Sequence, residues 1–331
     1  MKITINAIDT GFSNNGGTKT LFHSANILTD MGHEVKCVSN HPNKFTWFPL
    51  KAEFIQTRHP LAYPDADANI ATGFQSVKNV VAAPPQKGKA FHWIRAHETW
   101  ITKSLGKIYN APTVKWVNSE GLKFFIKREY NVDTELLYPG VDLDIFFNTN
   151  LRRYDLEYFT VGALNNKKPR KRQDWLVRAF DHLNRSYGAR AAFLMFGNDG
   201  KPLDIRLLNA YIQQPSPAIL RTVYNKVKVW LAPTYSEGLH ICPMEAALCG
   251  CLVVGTTAEL AGMRDWLVDG HSGFMSENDF GSFYAKIVEA VKCTSHKAMI
   301  IADTARNTIE NVIGSRERNM KRMVELIEGA L

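Results

Sequence analysis

The sequence predicts an α/β protein made of two doubly wound, parallel-sheet domains facing a central cleft. Three observations carry that expectation. Short apolar strands alternate with amphipathic helical stretches from residue 2 onward, the pattern of βαβ units. The alternation pauses over 139–150 and restarts after Arg153. A length of 331 residues suits two domains better than one. The domains are set at 1–148 and 149–310. Residues 311–331 are expected to form a C-terminal helix that packs back toward the first domain.

In order, 2–8 alternates Ile3, Ile5 and Ala7 and reads as a strand. A loop follows over 9–17, tipped by Asn14-Asn15-Gly16-Gly17. Helical spacing of Leu21, Phe22, Ala25 and Leu28 marks 18–31 as a helix, stopped by Gly32. Strands are expected at Glu34–Ser39, 69–72, 90–94, 113–117 and 135–138. In the second half they fall at 158–162, 191–196, 227–231 and 252–255. Helices are expected over 173–184, from Ser216-Pro217 onward, over 283–291 and over 297–329. Ligands of such sheets bind beyond the carboxyl ends of the strands.

Bulk composition narrows the function classes. Net charge is +8, from 40 basic and 32 acidic residues. Residues 1–148 hold 16 of the former and 13 of the latter, so +3 falls there and +5 in the rest. That spread is too even for a nucleic-acid arm and fits anionic small ligands or a weak pull toward acidic membranes. Cys37, Cys242, Cys249, Cys251 and Cys293 are odd in number and scattered, as expected of reduced thiols in a cytoplasmic protein. No signal peptide or apolar spanning run is read, so the expected location is cytoplasmic, at most peripheral at the inner membrane face.

The residues with chemistry sit at strand ends. Glu237 and Glu245 bracket a turn-to-helix segment, Glu237-Gly238-Leu239-His240-Ile241-Cys242-Pro243-Met244-Glu245, after the 227–231 strand. Pro243 suits the first helical position, which puts Glu245 in the first turn, and Gly250 suits the stop. Free N–H groups at that helix start would take an anion. A ligand with a phosphate group and hydroxyls on either side fits, as a nucleotide sugar does. Each glutamate also has a plainer reading, Glu245 as a helix-dipole partner and Glu237 as an exposed loop acid.

Gly16-Gly17 lets backbone approach a phosphate, or is a flexible turn. It is neither a dinucleotide fingerprint nor a Walker A loop. Lys167-Lys168-Pro169-Arg170-Lys171-Arg172 is a solvated charge run, or neutralises a diphosphate leaving group. His97 and Glu98, in the segment from His92 to Trp100, contact sugar or acceptor, or form a hydrogen-bonded core edge. Asp65-Ala66-Asp67 and Asp142-Leu143-Asp144 have the DxD pattern, but one pair supplies too few oxygens for a divalent cation. No metal is expected. Helix candidate 121–130 mixes Leu122, Phe124, Phe125 and Ile126 with Lys123, Lys127 and Arg128. It is an interfacial helix or an ordinary packed one.

Together these segments resemble retaining glycosyltransferase family 4, with the GT-B architecture, over nearly the whole chain. The segment Pro233-Thr234-Tyr235-Ser236-Glu237-Gly238-Leu239-His240-Ile241, running on to Glu245-Ala246-Ala247-Leu248-Cys249-Gly250, resembles the family's E-x7-E motif. Gly16-Gly17 with Gly32-His33-Glu34-Val35 resembles its glycine loop and strand entry. Tyr138-Pro139-Gly140-Val141-Asp142 with Phe146 resembles its "NGVD…F" segment, and Asp269-Gly270-His271-Ser272-Gly273 its "DG-x-x-G" turn. The resemblance implies that Glu245 binds ribose hydroxyls and Glu237 the donor sugar. It implies that backbone at Gly238, Leu239, His240 and Ile241 touches the diphosphate, with Gly16 and Gly17 covering it. Lys171, beside Arg170, would steady the leaving phosphate, and Gly162 and Gly197 would join the donor-binding edge. His97, with Glu98, would lie on the acceptor side.

Three positions depart from the family pattern. Ala163 stands where Arg is common, so Arg170 or Lys168 would supply the charge. His240 replaces a common glycine, which would narrow the site or add a phosphate donor. Asp265 stands for a usual glutamate. The implied reaction moves a sugar from a UDP- or GDP-sugar to an acceptor hydroxyl, retaining configuration, without metal or other cofactor. The acceptor would be a sugar, a lipid-linked sugar or a polysaccharide. A nucleotide-sugar epimerase and a non-catalytic nucleotide- or glycan-binding relative are the alternatives.

Overall fold

The computed structural model of the chain describes residues 1–42, 47–99, 104–149, 154, 157–202, 204–205 and 207–331. Trp100, Asn150 and Arg153, used in the sequence reading, lie outside them. The chain divides into two compact units: Met1–Gly140 with Arg316–Leu331, and Val141–Ser315.

The first unit runs β1 (Lys2–Asn6), α1 (Gly16–Asp30), β2 (Glu34–Ser39), β3 (Glu53–Gln56), β4 (Ala68–Ala71) and α2 (Phe74–Ala82). It continues with β5 (Lys89–Ile94), α3 (Leu105–Tyr109), β6 (Val114–Val117), α4 (Glu120–Tyr130) and β7 (Glu135–Leu136). All seven strands are parallel, in the order β3-β2-β1-β4-β5-β6-β7. Central strands such as β4 are buried along their whole length, as a parallel sheet covered on both faces requires.

The second unit runs β8 (Phe159–Leu164), α5 (Gln173–Tyr187), β9 (Ala191–Gly197), β10 (Ala210–Gln213), α6 (Pro217–Lys226) and β11 (Val229–Leu231). Then come α7 (Ile241–Leu248), β12 (Leu252–Thr256), β13 (Phe274–Ser276), α8 (Phe280–Lys292) and α9 (Ser295–Thr308). Its six strands are also parallel, ordered β10-β9-β8-β11-β12-β13. Strand order reverses between β1 and β4 in one sheet and between β8 and β11 in the other. Those are the points where loops diverge and leave room for a ligand.

Each unit has its own core. Leu176, Ala179, Phe180 and Leu183 line one side of α5 and pack on Phe193 and the sheet of the second unit. The last helix, α10 (Arg316–Glu328), belongs to the first unit, where Met320, Met323 and Ile327 join the core beside α1. The helical stretch expected over 297–329 is therefore two helices. α9 passes into a π turn, Ile309–Ile313, and Gly314 at φ 75° breaks the path before α10. Ile309 and Ile313 are fully buried.

The first helix starts at Gly16, not residue 18, because the Asn15 side chain accepts the Thr18 N–H at 2.9 Å. All five cysteines are free thiols. No helix among the described residues is long and apolar enough to cross a membrane.

Candidate active site

The second unit gathers its charged groups at the strand-order reversal. After β8 the chain makes a tight turn, Pro169–Lys171, and Arg172 takes a left-handed φ of 50° before α5 begins. That turn divides the basic run. Lys167 and Lys168 face solvent, whereas Arg170 and Lys171 turn inward, with side chains 16% and 12% exposed. The loop after β11 fastens the turn: the Thr234 hydroxyl and the Tyr235 N–H both donate to the Arg170 carbonyl, at 3.0 and 3.1 Å. Arg172 lies over the rings of Trp175 and Tyr235.

Glu237 meets this turn. Its Oε1 is 2.7 Å from Lys171 Nζ and 3.4 Å from Arg170 Nε. Burial alone would raise the carboxyl pKa, but the adjacent cations, Lys171 foremost, overcome it and hold the group at about 2. Glu237 is therefore ionised at every physiological pH. Its backbone is fixed as well: the Glu237 N–H donates to Leu260 and the His240 N–H to Gly262, at 3.0 Å for the latter. Gly262 has φ 70°, and a Cβ there would come within 2.8 Å of the Gly238 carbonyl. Only glycine lets these two loops lie so close.

His240 is 6% exposed and its Nε2 lies 3.1 Å from Lys171 Nζ. Burial, with Lys171 beside it, lowers its pKa to about 3, so the ring is neutral. An ammonium can only donate, so Nε2 accepts and the ring proton sits on Nδ1. Nδ1 is buried without a hydrogen-bond partner among the described residues. A buried donor left unpaired costs about 1–3 kcal/mol.

The helix after Glu237 begins earlier than its proline suggests. α7 starts at Ile241, so Pro243 is third and Glu245 fifth, in the second turn rather than the first. Proline is tolerated there because an N–H in the first turn has no intrahelical acceptor anyway. No side chain caps this helix start. At its other end Gly250, φ 86°, and Cys251 return their N–H groups to Ala247 and Ala246, closing the helix where expected. Glu245 is oriented by the buried Tyr224, whose hydroxyl donates to Oε2 at 3.0 Å. Tyr224 is a site residue that sequence reasoning missed. It lies on α6, and no local pattern links it to Glu245.

Other expected positions fall elsewhere. Ala163 is fully buried in β8 as part of the core, and Arg170 is the arginine that reaches Glu237. Gly162 is buried in β8, where a Cβ would come within 2.8 Å of Trp230 and Val227. Gly197 closes β9 against the Asn165 carbonyl. Gly238 and Leu239 are buried in the pinned loop, and Ile241 is half-buried.

In the first unit, Gly16 and Gly17 are the exposed first two residues of α1. Arg95, also missed, follows β5 and donates to the Gly17 and Thr72 carbonyls at 2.6 and 2.7 Å. The signal was present as the one basic residue in the quoted segment. His97 is 6% exposed. Its Nδ1 is 3.1 Å from the Tyr109 hydroxyl and its ring lies 4.6 Å from that of Phe125. Burial lowers its pKa. Glu98 accepts the first N–H of α2, from Phe74, at 3.3 Å. Asp65 pairs with Lys87 and Asp67 accepts the Lys2 N–H. Among the described residues no group of three or more His, Cys, Asp or Glu is placed to hold a metal ion.

Comparison with known proteins bears on both fold and class. Residues 156–293, inside the second unit, match the family described as Glycosyl transferases group 1. No curated protein matches the chain. Among solved structures, TarM is similar at 17% identity and a TM-score of 0.62, over 78% of this chain and 54% of TarM. The chain thus spans about half of TarM's length. Sucrose-phosphate synthase from Thermosynechococcus elongatus is similar at 14% identity and a TM-score of 0.76, over 99% of this chain and 98% of that one. HepE of Anabaena, solved with UDP-glucose, gives 15% and 0.77, over 99% and 100%. At such identities the likeness establishes the fold, which is GT-B. The family match lies within the second unit and covers less than half of the chain.

Proposed function

We propose that the chain transfers a sugar from a nucleoside-diphosphate sugar to an acceptor hydroxyl, retaining configuration and forming an α-linkage without a metal. One observation carries the reading: two inward cations, Lys171 and Arg170, converge on ionised Glu237 beside the uncapped start of α7. Such a site offers positive charge to a diphosphate and carboxylate lone pairs to sugar hydroxyls. Glu245, held by Tyr224, takes the ribose hydroxyls.

The bond from the sugar's anomeric carbon to the phosphate oxygen breaks as the bond to the acceptor oxygen forms on the same face. The acceptor proton passes to the departing phosphate. Charge builds on the diphosphate, where Lys171, Arg170 and the α7 N–H groups stabilise it. Glu237, tied to two cations, positions the sugar rather than attacking it. By the family resemblance, Gly16 and Gly17 of the first unit take a donor-side role, and His97 and Glu98 an acceptor-side role. HepE, solved in complex with UDP-glucose, makes UDP-sugars the first donors to test.

The test is product NMR in the presence of a chelator. An α-configured product from an α-configured donor supports retention without metal. A β-product, or loss of turnover in chelator restored by a divalent cation, rules it out.

We also propose that α4 touches acidic membranes at the inner face. Phe124, 62% exposed, stands with exposed Lys127 and Arg128 and half-buried Lys123 on α4. Reversing those three charges should abolish binding to acidic liposomes, and no binding by the native chain would end the idea.

A further inference from the structure

We propose that His240 positions the Lys171 ammonium and offers its Nδ1–H to an oxygen of the donor's diphosphate. The inference rests on the reading above and adds a residue to it. Two contacts tie His240 into the site. Its Nε2 accepts from Lys171 at 3.1 Å, beside the 2.7 Å contact of Lys171 with Glu237. Its backbone N–H donates to the Gly262 carbonyl at 3.0 Å, which fixes the loop that carries the ring.

Nδ1 is the observation that points to a ligand. The Lys171 contact forces the proton onto Nδ1, yet that N–H is buried with no acceptor among the described residues. Native structures rarely leave such a group unserved. His240 is also the residue just before α7, whose first N–H groups are free of any side-chain cap. An anionic oxygen at that helix start would collect the Nδ1–H, the helix N–H groups and the third proton of Lys171. A glycine at this position, common in the resembled family, provides neither contact.

The experiment measures binding of UDP and GDP, with UMP and GMP as controls, to the native chain and to His240→Gly, His240→Gln and His240→Asn. Melting temperatures are taken alongside. His240→Gly should weaken the bound nucleoside diphosphate at least about tenfold, equivalent to about 1.4 kcal/mol, and the matching monophosphate by less than about twofold. Glutamine places an oxygen near Nε2 and restores the Lys171 contact. Asparagine places an N–H near Nδ1 and restores the ligand contact. Each should recover part of the loss.

Equal weakening of di- and monophosphate, or no recovery with either amide, would make His240 merely structural. Unchanged diphosphate affinity in His240→Gly would overturn the inference while leaving the transferase reading intact. That is also the outcome if a water in the cavity of about 10 Å³ beside Lys171 and His240 serves Nδ1–H. A native chain that binds no nucleoside diphosphate overturns both.

Discussion

Glutamine in place of Glu237 removes one negative charge from a nearly buried cluster and leaves Lys171 and Arg170 facing each other. The size of the effect follows from the carboxyl's depressed pKa. A group held at about 2 in the folded chain, against 4.5 ordinarily, stabilises it by roughly 3 kcal/mol at neutral pH, at about 1.4 kcal/mol per tenfold change in proton affinity. Because the folded value is the lower one, this stability is complete above pH 4.5 and is lost as pH falls toward 2. His240 is neutral over most of that range, so Lys171 and Arg170 are the physical source.

Denaturant unfolding of the native chain and Glu237→Gln, compared at a series of pH values, reads the effect. At pH 7 the variant should be less stable by about 2–3 kcal/mol, below the 3–5 typical of broken buried pairs because the site is partly solvated. Linkage requires the gap to narrow by about 1.4 kcal/mol at pH 3.5, because Glu237 in the unfolded chain takes up a proton there while the native carboxylate stays ionised. A gap that stays constant from pH 7 to 3.5 would refute the ion-pair account of this site.

Three more substitutions test the supports around the site. Tyr224→Phe deletes the hydroxyl bonded to Glu245 and should cost about 1.5–3 kcal/mol while weakening nucleotide binding in titration calorimetry. Gly162→Ala forces a Cβ to within 2.8 Å of Trp230, and thermal denaturation should show a loss of about 1–3 kcal/mol. Met323→Ala empties a buried position where α10 meets the first unit, and should cost about 2–5 kcal/mol by the same measurement.

Strands such as β4 and β12 were legible because parallel strands covered on both faces are mostly apolar, with only Asn69 in the first and Thr256 in the second as polar side chains. Edge strands β3 and β10, partly exposed over mixed residues, carry no such pattern and were not anticipated. The two glutamates were readable because their spacing straddles a strand-turn-helix junction. The start of α7 was misplaced by two residues, since a proline rule cannot see that the third position also lacks an acceptor. The meeting of Lys171 with Glu237 depends on two loops 66 residues apart in sequence, made adjacent by the β8–β11 pairing. The basic run announced charge, yet only the turn at Pro169–Lys171 decided which of its members face inward. Tyr224 and Arg95 act through long-range hydrogen bonds, which leave no periodic trace.

Donor turnover tests the central claim most directly. The chain is incubated in chelator with UDP-, GDP- and ADP-sugars and a panel of sugar and lipid-linked acceptors, beside Glu237→Ala, and both released nucleotide and remaining donor are analysed. The account predicts nucleotide release from one donor, dependent on an acceptor and lost in the variant. Donor that is bound but never consumed, or converted to its epimer without nucleotide release, would contradict it.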